Sequence, residues 1–496
     1  MTLAIESAVP KPASVRVGLV AALAMLAAFV LWLRLLSAPD FPLDDAYITL
    51  HNARVLLDGH DANYGVSPLV GATSTVHLAL VTALSLVFDL AWAGAIAAWL
   101  AAAAYMAGIL FLAQRCRLST VESALLVAIG FVAGLAMTHL LNGLETGLAM
   151  ALVTWCIGLT LCGPTYWLPA LLGLLPFVRP ELGILSAVLF ANQLNQRRIE
   201  RNWRGAIIDT VILAGAALPW LAWMWAETGT LVPQTADAKR AFFAEAELPL
   251  PTRASAVAHA VGRVFLHVGP LAIALIGLRR ERVGRLALLF CALMLALFLQ
   301  QFPGGLSHNW NRYLYPLLPL FLAGLALLLR DASARGRRRL RALAVASVIY
   351  GIAVSPYTLG EYIKRINFAR IELAGLTAWM ANNIPPGARV AIHDAGYVAY
   401  ATDYTLIDVV GLKTPESRVV HREITAPSAG RRRGEALVRI LAESRADYLI
   451  VFDRWDNDLS LTQGIRAAGG VIEPLREEGA YHVYRVAARG RPAVAR

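Results

Sequence analysis

The segment Ala206–Trp225, with the sequence AIIDTVILAGAALPWLAWMW, decides the fold class because Asp209 is its only charged residue. A helix rises about 1.5 Å per residue, so a run of this length crosses the roughly 30 Å hydrocarbon core of a bilayer. Four arginines stand close before the run, at Arg197, Arg198, Arg201 and Arg204. The pattern predicts a membrane-spanning helix next to a positively charged loop.

Similar apolar runs recur through most of the chain, for example at Val17–Leu36, Val121–Leu140 and Leu286–Leu299 with its flanks. Of the 496 residues, 57% are hydrophobic and 16% charged, and the mean hydropathy is +0.56, which excludes an ordinary soluble protein. We therefore predict a polytopic α-helical membrane domain of roughly eleven spans over residues 1–357. The first run carries no small-residue cleavage site after it and is interpreted as an uncleaved span.

The arginine clusters also predict the orientation. Two further clusters, at 279–285 and 330–341, lie in short loops between apolar runs, as the positive-inside rule expects of cytoplasmic loops. The N-terminus is then cytoplasmic, and segments 38–69, 227–255 and 300–312 lie outside. The net charge of +11 belongs to these loops, which lack the interleaved aromatic residues of a nucleic-acid-binding surface.

The side of the loop 142–145 stays open. If every apolar run is a full span, this loop is cytoplasmic. If helices are broken near Asp89 and at Arg179-Pro180, it lies outside, because broken helices are tolerated where they line a cavity.

The tail, residues 358–496, reads as a small soluble α/β domain on the periplasmic side. A helical pattern covers Glu361–Asn382 and stops before Pro385. Strand-like runs and one helix between two of them follow, at Arg389–His393, Leu406–Val410, Leu437–Glu443 (the helix), Tyr448–Phe452 and His482–Val486.

Asp44 and Asp45 are the first candidates for chemistry. They follow the first span and precede an amphipathic stretch, Ala46–Asp58, which is suited to lie along the membrane surface. The alternative interpretation is that one of them merely caps that helix.

Further ionisable or polar residues stand near the predicted outer face. They are Glu145, Arg179, Glu181, Lys239, His308, Arg312 and Tyr313. Such residues are costly at membrane level and by default mark function. Taken singly, Arg179 and Glu181 could form a structural ion pair, Lys239 could be a solvated loop charge, and Arg312 could extend from a span end. Their gathering on one face favours a functional site.

These residues lie in motifs that resemble a known family. Asp-Asp-Ala-Tyr-Ile at 44–48 resembles the acidic motif of the GT-C superfamily of membrane glycosyltransferases, and more specifically the bacterial group related to mycobacterial arabinofuranosyltransferases that use decaprenyl-phosphate arabinose. Further matches follow in family order at Gly71–Thr75, Asn142–Thr146, Arg179–Glu181, Leu231–Thr235 with Lys239, Asn311–Tyr313 with Pro316, Asp394–Gly396 and Ile407–Leu412. Thr75 stands where the family usually has proline, and Gln234 replaces asparagine.

The resemblance, which covers about residues 18–415, implies an inverting glycosyltransferase of the bacterial inner membrane. It would move a sugar, arabinofuranose or another pentose or hexose, from a polyprenyl-phosphate donor to a cell-envelope glycan or lipid acceptor at the periplasmic face. The absence of a glycine-rich phosphate loop and of a dinucleotide-binding fingerprint agrees with a lipid-linked donor.

The roles follow from this chemistry. Asp44 is assigned as the base and Asp45 as the residue that orients it or binds a divalent cation, Mg²⁺ or Mn²⁺, although the sequence leaves their order open. Lys239, Arg312 and Arg179 would hold the donor phosphate. Glu145, Glu181, His308 and Tyr313 would contact or support the donor.

Two competing interpretations remain. A transporter or flippase of lipid-linked sugars would show repeat symmetry and charges at the bilayer midplane, and no repeat is evident. A non-catalytic assembly subunit would not need the intact acidic pair.

Overall fold

The computed structural model of the chain describes residues 40–487. The predicted first span, Val17–Leu36, and the predicted cytoplasmic N-terminus lie outside these residues. The described chain consists of a large helical part followed by a small sheet with its own helices.

The helical part begins with α1, which follows the first predicted span. Its α-helices are α1 Asp44–Asp58, α2 Thr75–Ser85, α3 Leu90–Arg115, α4 Thr120–Val132, α5 Ala136–Leu141, α6 Thr146–Thr160, α7 Trp167–Val178, α8 Leu182–Ile199, α9 Trp203–Thr228, α10 Thr235–Phe243, α11 Leu250–Val268, α12 Arg282–Gln301, α13 Leu318–Arg330 and α14 Ala334–Phe368. Short 3₁₀ segments link several of them, at Glu245–Glu247, Gly269–Arg280, Pro303–Ser307 and Tyr315–Leu317.

Five helical segments among residues 40–487 are long and apolar enough to cross a membrane. They are Leu90–Arg115, Trp203–Thr228, Leu250–Arg280, Arg282–Gln301 and Ala334–Asn383. A sixth would be the pair Pro303–Asn311 and Tyr315–Arg330, which is bent by 83°. The decisive segment Ala206–Trp225 lies inside α9, whose apolar side chains are largely exposed, as lipid-facing residues are. The polytopic helical class is confirmed, whereas the predicted count of eleven spans is not.

Several predicted spans are broken into shorter helices. The apolar run Val121–Leu140 is not one helix, because the chain turns at Gly134, where φ is +59°. A Cβ at Gly134 would overlap the hydroxyl of Tyr315, so only glycine fits there. Breaks also occur near Asp89, between α2 and α3, and at 179–181, between α7 and α8.

These breaks decide the position of the loop 142–145. Gly143 adopts φ +74° and packs against the ring of Phe41, in the loop that leads into α1. His77 Nε2 lies 3.2 Å from the Gly143 carbonyl oxygen. The loop is therefore on the same side as Asp44 and Asp45, and the count that treats every apolar run as a full span is wrong.

A continuous helical rod joins the two parts of the chain. From α14 it passes through a π-helical turn, Ala369–Leu373, into α15, Ala374–Asn383. The predicted helix Glu361–Asn382 is thus the end of a 50-residue helical segment, and it stops before Pro385 as expected. The domain boundary drawn at 357/358 falls inside this rod and stays a prediction.

The tail contains a five-stranded sheet in the order β2-β1-β3-β5-β4. The strands are β1 Arg389–Ile392, β2 Thr405–Asp408, β3 Tyr448–Phe452, β4 Ile472–Arg476 and β5 Tyr481–Val486. β1 runs parallel to β2 and β3, while β5 is antiparallel to β3 and β4. The helices are α16 Tyr397–Ala401, α17 Pro415–Val420, α18 Arg433–Glu443, α19 Asp453–Leu459 and α20 Leu461–Ala467. The four predicted strands and the predicted helix are present, and β4 is additional.

The tail is docked on the loop that carries α1. Lys413 is 0% exposed, and its ammonium lies 3.2 Å from Asp61 Oδ2 and 2.8 Å from Asn52 Oδ1. Arg54 donates hydrogen bonds to the carbonyls of Ala399 and Tyr400, at 2.8 and 3.1 Å. Buried charged contacts of this kind fix the edge of the sheet against the second half of α1 and the residues that follow it.

Candidate active site

Asp44 points toward the tail rather than along its own helix. Its Oδ2 accepts a hydrogen bond from the Gly396 N–H at 2.8 Å, and its Oδ1 accepts one from the Tyr397 N–H at 2.7 Å. The side chain makes no capping hydrogen bond in α1, so the simple capping interpretation is wrong for α1. Burial, and next the charge of Asp394, raises the pKa of Asp44 well above its usual value, against the opposing effect of the Tyr397 N–H.

Asp45 points toward the membrane part. Its Oδ2 lies 2.8 Å from Arg312 Nη1 and accepts a hydrogen bond from Asn309 Nδ2 at 3.1 Å. Burial alone would raise the pKa of this carboxyl, but the charges of Arg312, Lys239 and His308 outweigh it and lower the pKa. Asp45 is therefore held as an anion.

A strained turn presents the partners of Asp45. Asn309, Trp310 and Asn311 have φ values of 46°, 61° and 62°, in the left-handed region that side-chain-bearing residues rarely adopt. Asn311 Nδ2 donates to the Leu306 carbonyl at 2.9 Å, and His139 Nε2 lies 3.0 Å from the Trp310 carbonyl oxygen. Strain of about 1–3 kcal/mol per residue persists only where the surroundings impose it, and it clusters at functional sites.

Lys239 is the cation of the site that forms no ion pair with a carboxylate among the described residues. It lies in α10, and its Nζ is 3.4 Å from the hydroxyl of Tyr313. Within residues 40–487 it forms no ion pair with a carboxylate, unlike Arg312, which Asp45 engages. An ammonium in this state is available to an incoming anion.

Arg179 is already neutralised by two carboxylates. It is 0% exposed; its Nη1 lies 2.8 Å from Glu145 Oε1 and its Nε 2.6 Å from Glu181 Oε1. Its guanidinium lies over the ring of Tyr313, 4.5 Å from the centroid. The structural ion pair that we set against the functional interpretation is present, extended by Glu145. Arg179 and its two carboxylates therefore hold the ring of Tyr313 in place, and the hydroxyl of Tyr313 contacts Lys239.

Three cavities meet at Lys239. The first, which we call the loop cavity, measures about 30 Å³ and is lined by Asp45, Ser74, Glu145, Lys239 and Arg312 among others. The second, the interface cleft, measures about 140 Å³ and lies between the start of α1, α10 and the tail. The third, the apolar groove, measures about 480 Å³.

The apolar groove runs along the C-terminal end of α12, a candidate span. Its lining includes Val232, Leu297, Phe298 and Phe302, and it reaches Lys239 and Tyr313. The predicted site residues are therefore brought together: Lys239 lines all three cavities, Asp45 and His308 the interface cleft, and Glu181 the apolar groove.

Sequence reasoning missed the contribution of the tail to the interface cleft. His393, Trp455 and Tyr481 line it, together with Asp394, for which the sequence predicts no role beyond a family motif. Tyr481 donates its hydroxyl hydrogen to Asp394 Oδ2 at 2.6 Å. No local pattern marks these residues, because they come from the turn after β1, from β5 and from α19, and meet only in the folded domain.

The predicted divalent cation does not fit the donor set around Asp45. Mg²⁺ and Mn²⁺ prefer several carboxylate or carbonyl oxygens, whereas Arg312, Lys239 and His308 surround this carboxylate. Both oxygens of Asp44 are taken by backbone N–H groups. Among residues 40–487, no group of three or more His, Cys, Asp or Glu is arranged to hold a metal ion.

Comparison with known proteins identifies the fold. A family described as a domain of unknown function (DUF8728) matches residues 362–490. No curated protein matches the chain. The structure of ArnT from Cupriavidus metallidurans bound to undecaprenyl phosphate is similar over 95% of this chain and 97% of ArnT, with 12% identity and a TM-score of 0.56. The apo form of ArnT matches at 13% identity over 94% and 98% of the two chains, with a TM-score of 0.54.

An oligosaccharyltransferase from Archaeoglobus fulgidus is similar over 97% of this chain and 75% of its own, with 10% identity and a TM-score of 0.46. The likeness to ArnT shows that the chain shares the overall fold of ArnT.

Proposed function

We propose that the chain is an inverting membrane glycosyltransferase that transfers a sugar from a polyprenyl-phosphate donor to the hydroxyl of a cell-envelope glycan or lipid. The observation that carries this proposal is the position of Lys239. This cation has no carboxylate partner in the described chain and stands where an apolar groove meets two polar cavities. A lipid phosphate has the matching form: a long apolar chain that ends in an anion.

The donor fits this arrangement as follows. The polyprenyl chain would lie in the apolar groove along Leu297 and Phe298, and the phosphate would bind Lys239. Arg312 lies next to Tyr313, whose hydroxyl contacts both cations. ArnT of the same fold has been solved with undecaprenyl phosphate, which supports this class of lipid. Arabinofuranose is one candidate for the sugar, alongside other pentoses and hexoses.

In the reaction, the acceptor oxygen attacks the anomeric carbon from the side opposite the phosphate, and the configuration inverts. The bond between that carbon and the phosphate oxygen breaks, and its electron pair stays on the phosphate. Lys239 and Arg312 stabilise the growing negative charge, an effect that is large where water is excluded. The acceptor loses its proton to a carboxylate, which assists by about 10²–10⁴-fold.

We assign the proton transfer to Asp45 and no longer to Asp44. Asp45 is kept anionic by Arg312 and lines both the loop cavity and the interface cleft. Asp44 lines the cleft as well, but its two oxygens accept backbone hydrogen bonds from Gly396 and Tyr397. Asp44 is therefore a positioning residue, which holds the tail against α1. Because the donor set around Asp45 does not fit a divalent cation, no step of this mechanism uses one.

The orientation remains part of the proposal: the site would face the periplasm, where sugars are supplied on lipid carriers.

Binding of undecaprenyl phosphate to the full chain in lipid nanodiscs tests the proposal, with native mass spectrometry as the readout. Lys239→Gln should weaken binding by about tenfold or more, because a charge-assisted contact to the phosphate is lost. Lys364→Gln is the matched control, since Lys364 is exposed on α14. Equal lipid binding by the wild type and both variants would contradict the assignment. The rate of sugar transfer from a panel of polyprenyl-phosphate sugars to acceptors in membrane extracts should likewise fall in Lys239→Gln and stay at the wild-type level in Lys364→Gln.

A further inference from the structure

We propose that the interface cleft is a subsite for one sugar ring, and that Trp455, His393 and Asp394 of the tail determine which ring it accepts. This inference rests on the proposed function and gives the domain that matches residues 362–490 a role in it. The ligand chemistry is a ring with adjacent hydroxyl groups. The ring is either the sugar of the donor or the terminal sugar of the acceptor, and the experiment below separates these sources.

The cleft is composed of two different parts of the chain. One wall comes from the membrane part, with Asp45, Lys239 and His308. The facing wall comes from the tail, with Trp455 and Tyr481. A ring bound between them has its reacting atoms beside Asp45 and Lys239, which are the groups assigned to proton transfer and phosphate binding. The size of the cleft, about 140 Å³, equals roughly five water molecules at liquid density and suits one ring rather than an oligosaccharide.

Aromatic side chains from both walls form a cluster around Trp455. The ring of Trp455 lies 4.6 Å from that of His393 and 5.6 Å from that of Phe243, measured between centroids. Phe452, which also lines the cleft, stacks on Tyr481 at 5.1 Å. A sugar ring presents an apolar face of C–H groups, and a half-buried indole at a cavity edge offers a flat apolar surface of matching size.

His393 supplies the polar part of the subsite. It is only 3% exposed and lines the cleft, and within residues 40–487 neither of its ring nitrogens makes a hydrogen bond of good geometry, although the Ile450 backbone is near enough to affect its pKa. Its Nε2 lies 3.5 Å from Asp394 Oδ2, too far for a good hydrogen bond. Buried polar atoms are nearly always satisfied, so an imidazole without a well-formed hydrogen bond at a cavity wall indicates a ligand that can form one with it. A hydroxyl group is such a ligand.

Asp394 completes the pattern. Its Oδ2 accepts the hydrogen bond of Tyr481, which fixes the carboxylate at the cleft wall. A fixed carboxylate accepts hydrogen bonds from sugar hydroxyls and rejects rings that place a C–H group at the same point. The arrangement therefore selects by the position of hydroxyl groups.

Saturation-transfer-difference NMR on the full chain in nanodiscs tests the inference, because this method detects weak binders. The probes are the methyl glycosides of arabinofuranose, glucopyranose, mannopyranose and galactopyranose. At least one should receive saturation from the wild type. Trp455→Ala and His393→Phe should each weaken its binding by about three- to tenfold, through loss of the stacking surface and of one hydrogen bond respectively. Asp394→Asn, which keeps an acceptor for Tyr481, should change the preference among the four probes.

Trp203→Ala is the matched control, because this tryptophan is exposed at the start of α9, far along the chain from the cleft. A probe displaced by a polyprenyl-phosphate sugar marks the subsite of the donor sugar, whereas a probe retained in its presence marks that of the acceptor; both results support a sugar subsite.

Saturation of no probe by folded wild-type protein would overturn the inference, as would equal saturation of the wild type, Trp455→Ala and His393→Phe. Undecaprenyl phosphate binding, measured on the same samples, separates the two proposals. Loss of lipid binding in Lys239→Gln tests the proposed function, whereas saturation of the glycoside probes tests the sugar subsite in the cleft.

Discussion

Replacement of Asp45 by asparagine separates catalysis from stability at this site. The variant keeps the shape of the side chain and removes the negative charge 2.8 Å from Arg312, which is 4% exposed. Breaking a buried ion pair costs about 3–5 kcal/mol. Asp45 is partly open to the cleft, and asparagine still accepts a hydrogen bond, so we expect the free energy of unfolding to fall by about 1–3 kcal/mol.

The effect on transfer should be larger. Loss of the base lowers the rate by about 10²–10⁴-fold, while the protein remains folded. Asp44→Asn is the matched variant. It replaces one of two acceptors of backbone hydrogen bonds by an NH₂ group that faces the Tyr397 or Gly396 N–H. It should loosen the tail and lower the rate by no more than about tenfold.

The assay is the initial rate of transfer in nanodiscs, with the melting temperature of each variant measured alongside. The assignment is refuted if Asp44→Asn abolishes transfer while Asp45→Asn keeps it. Equal losses with equal melting temperatures would instead point to joint action of the two carboxylates.

Two further predictions concern the packing that holds the site together. Lys413→Met leaves Asp61 buried without this cation, so we expect the free energy of unfolding to fall by about 3–5 kcal/mol and hydrogen exchange in β1 and β2 to become faster. Lys364→Met is the control, and unchanged exchange in Lys413→Met would contradict the role of Lys413 in docking the tail. Gly143→Ala places a Cβ against the Phe41 ring at a φ of +74° and should lower the free energy of unfolding by about 2–4 kcal/mol. Gly163→Ala, at a φ of +83° with open space around it, is the control and should lower it by only about 1 kcal/mol. Equal effects of the two substitutions would show that the Phe41 contact is unimportant.

The sequence was sufficient to predict the helical membrane class and the proximity of Asp45, Lys239 and Arg312. Hydropathy alone marks Ala206–Trp225 as a span, because the signal is local. The grouping of these three residues was predictable because ionisable residues are costly at membrane level and usually occur there in pairs or at functional sites.

Other features depend on contacts between distant residues. The predicted count of spans is not confirmed, because a break such as that at Gly134 depends on a contact with Tyr315, which lies far along the chain. The roles of Asp44 and Asp45 could not be told apart from the sequence, since the hydrogen bonds that Asp44 accepts come from the N–H groups of residues 396 and 397, far along the chain. β4 was missed because Pro474 and its mostly exposed residues lack the pattern of a strand.

The length of the helical rod Ala334–Asn383 sets the distance between the bilayer and the sheet. Its 50 residues have a contour of about 75 Å, against a hydrocarbon core of roughly 30 Å, so much of it stands in the aqueous phase. Each residue added to or removed from it would turn the sheet by about 100° and misalign Lys413 with Asp61. The height of the tail is thus set by helix length rather than by a flexible tether. Any substrate of the cleft must be delivered to that fixed level.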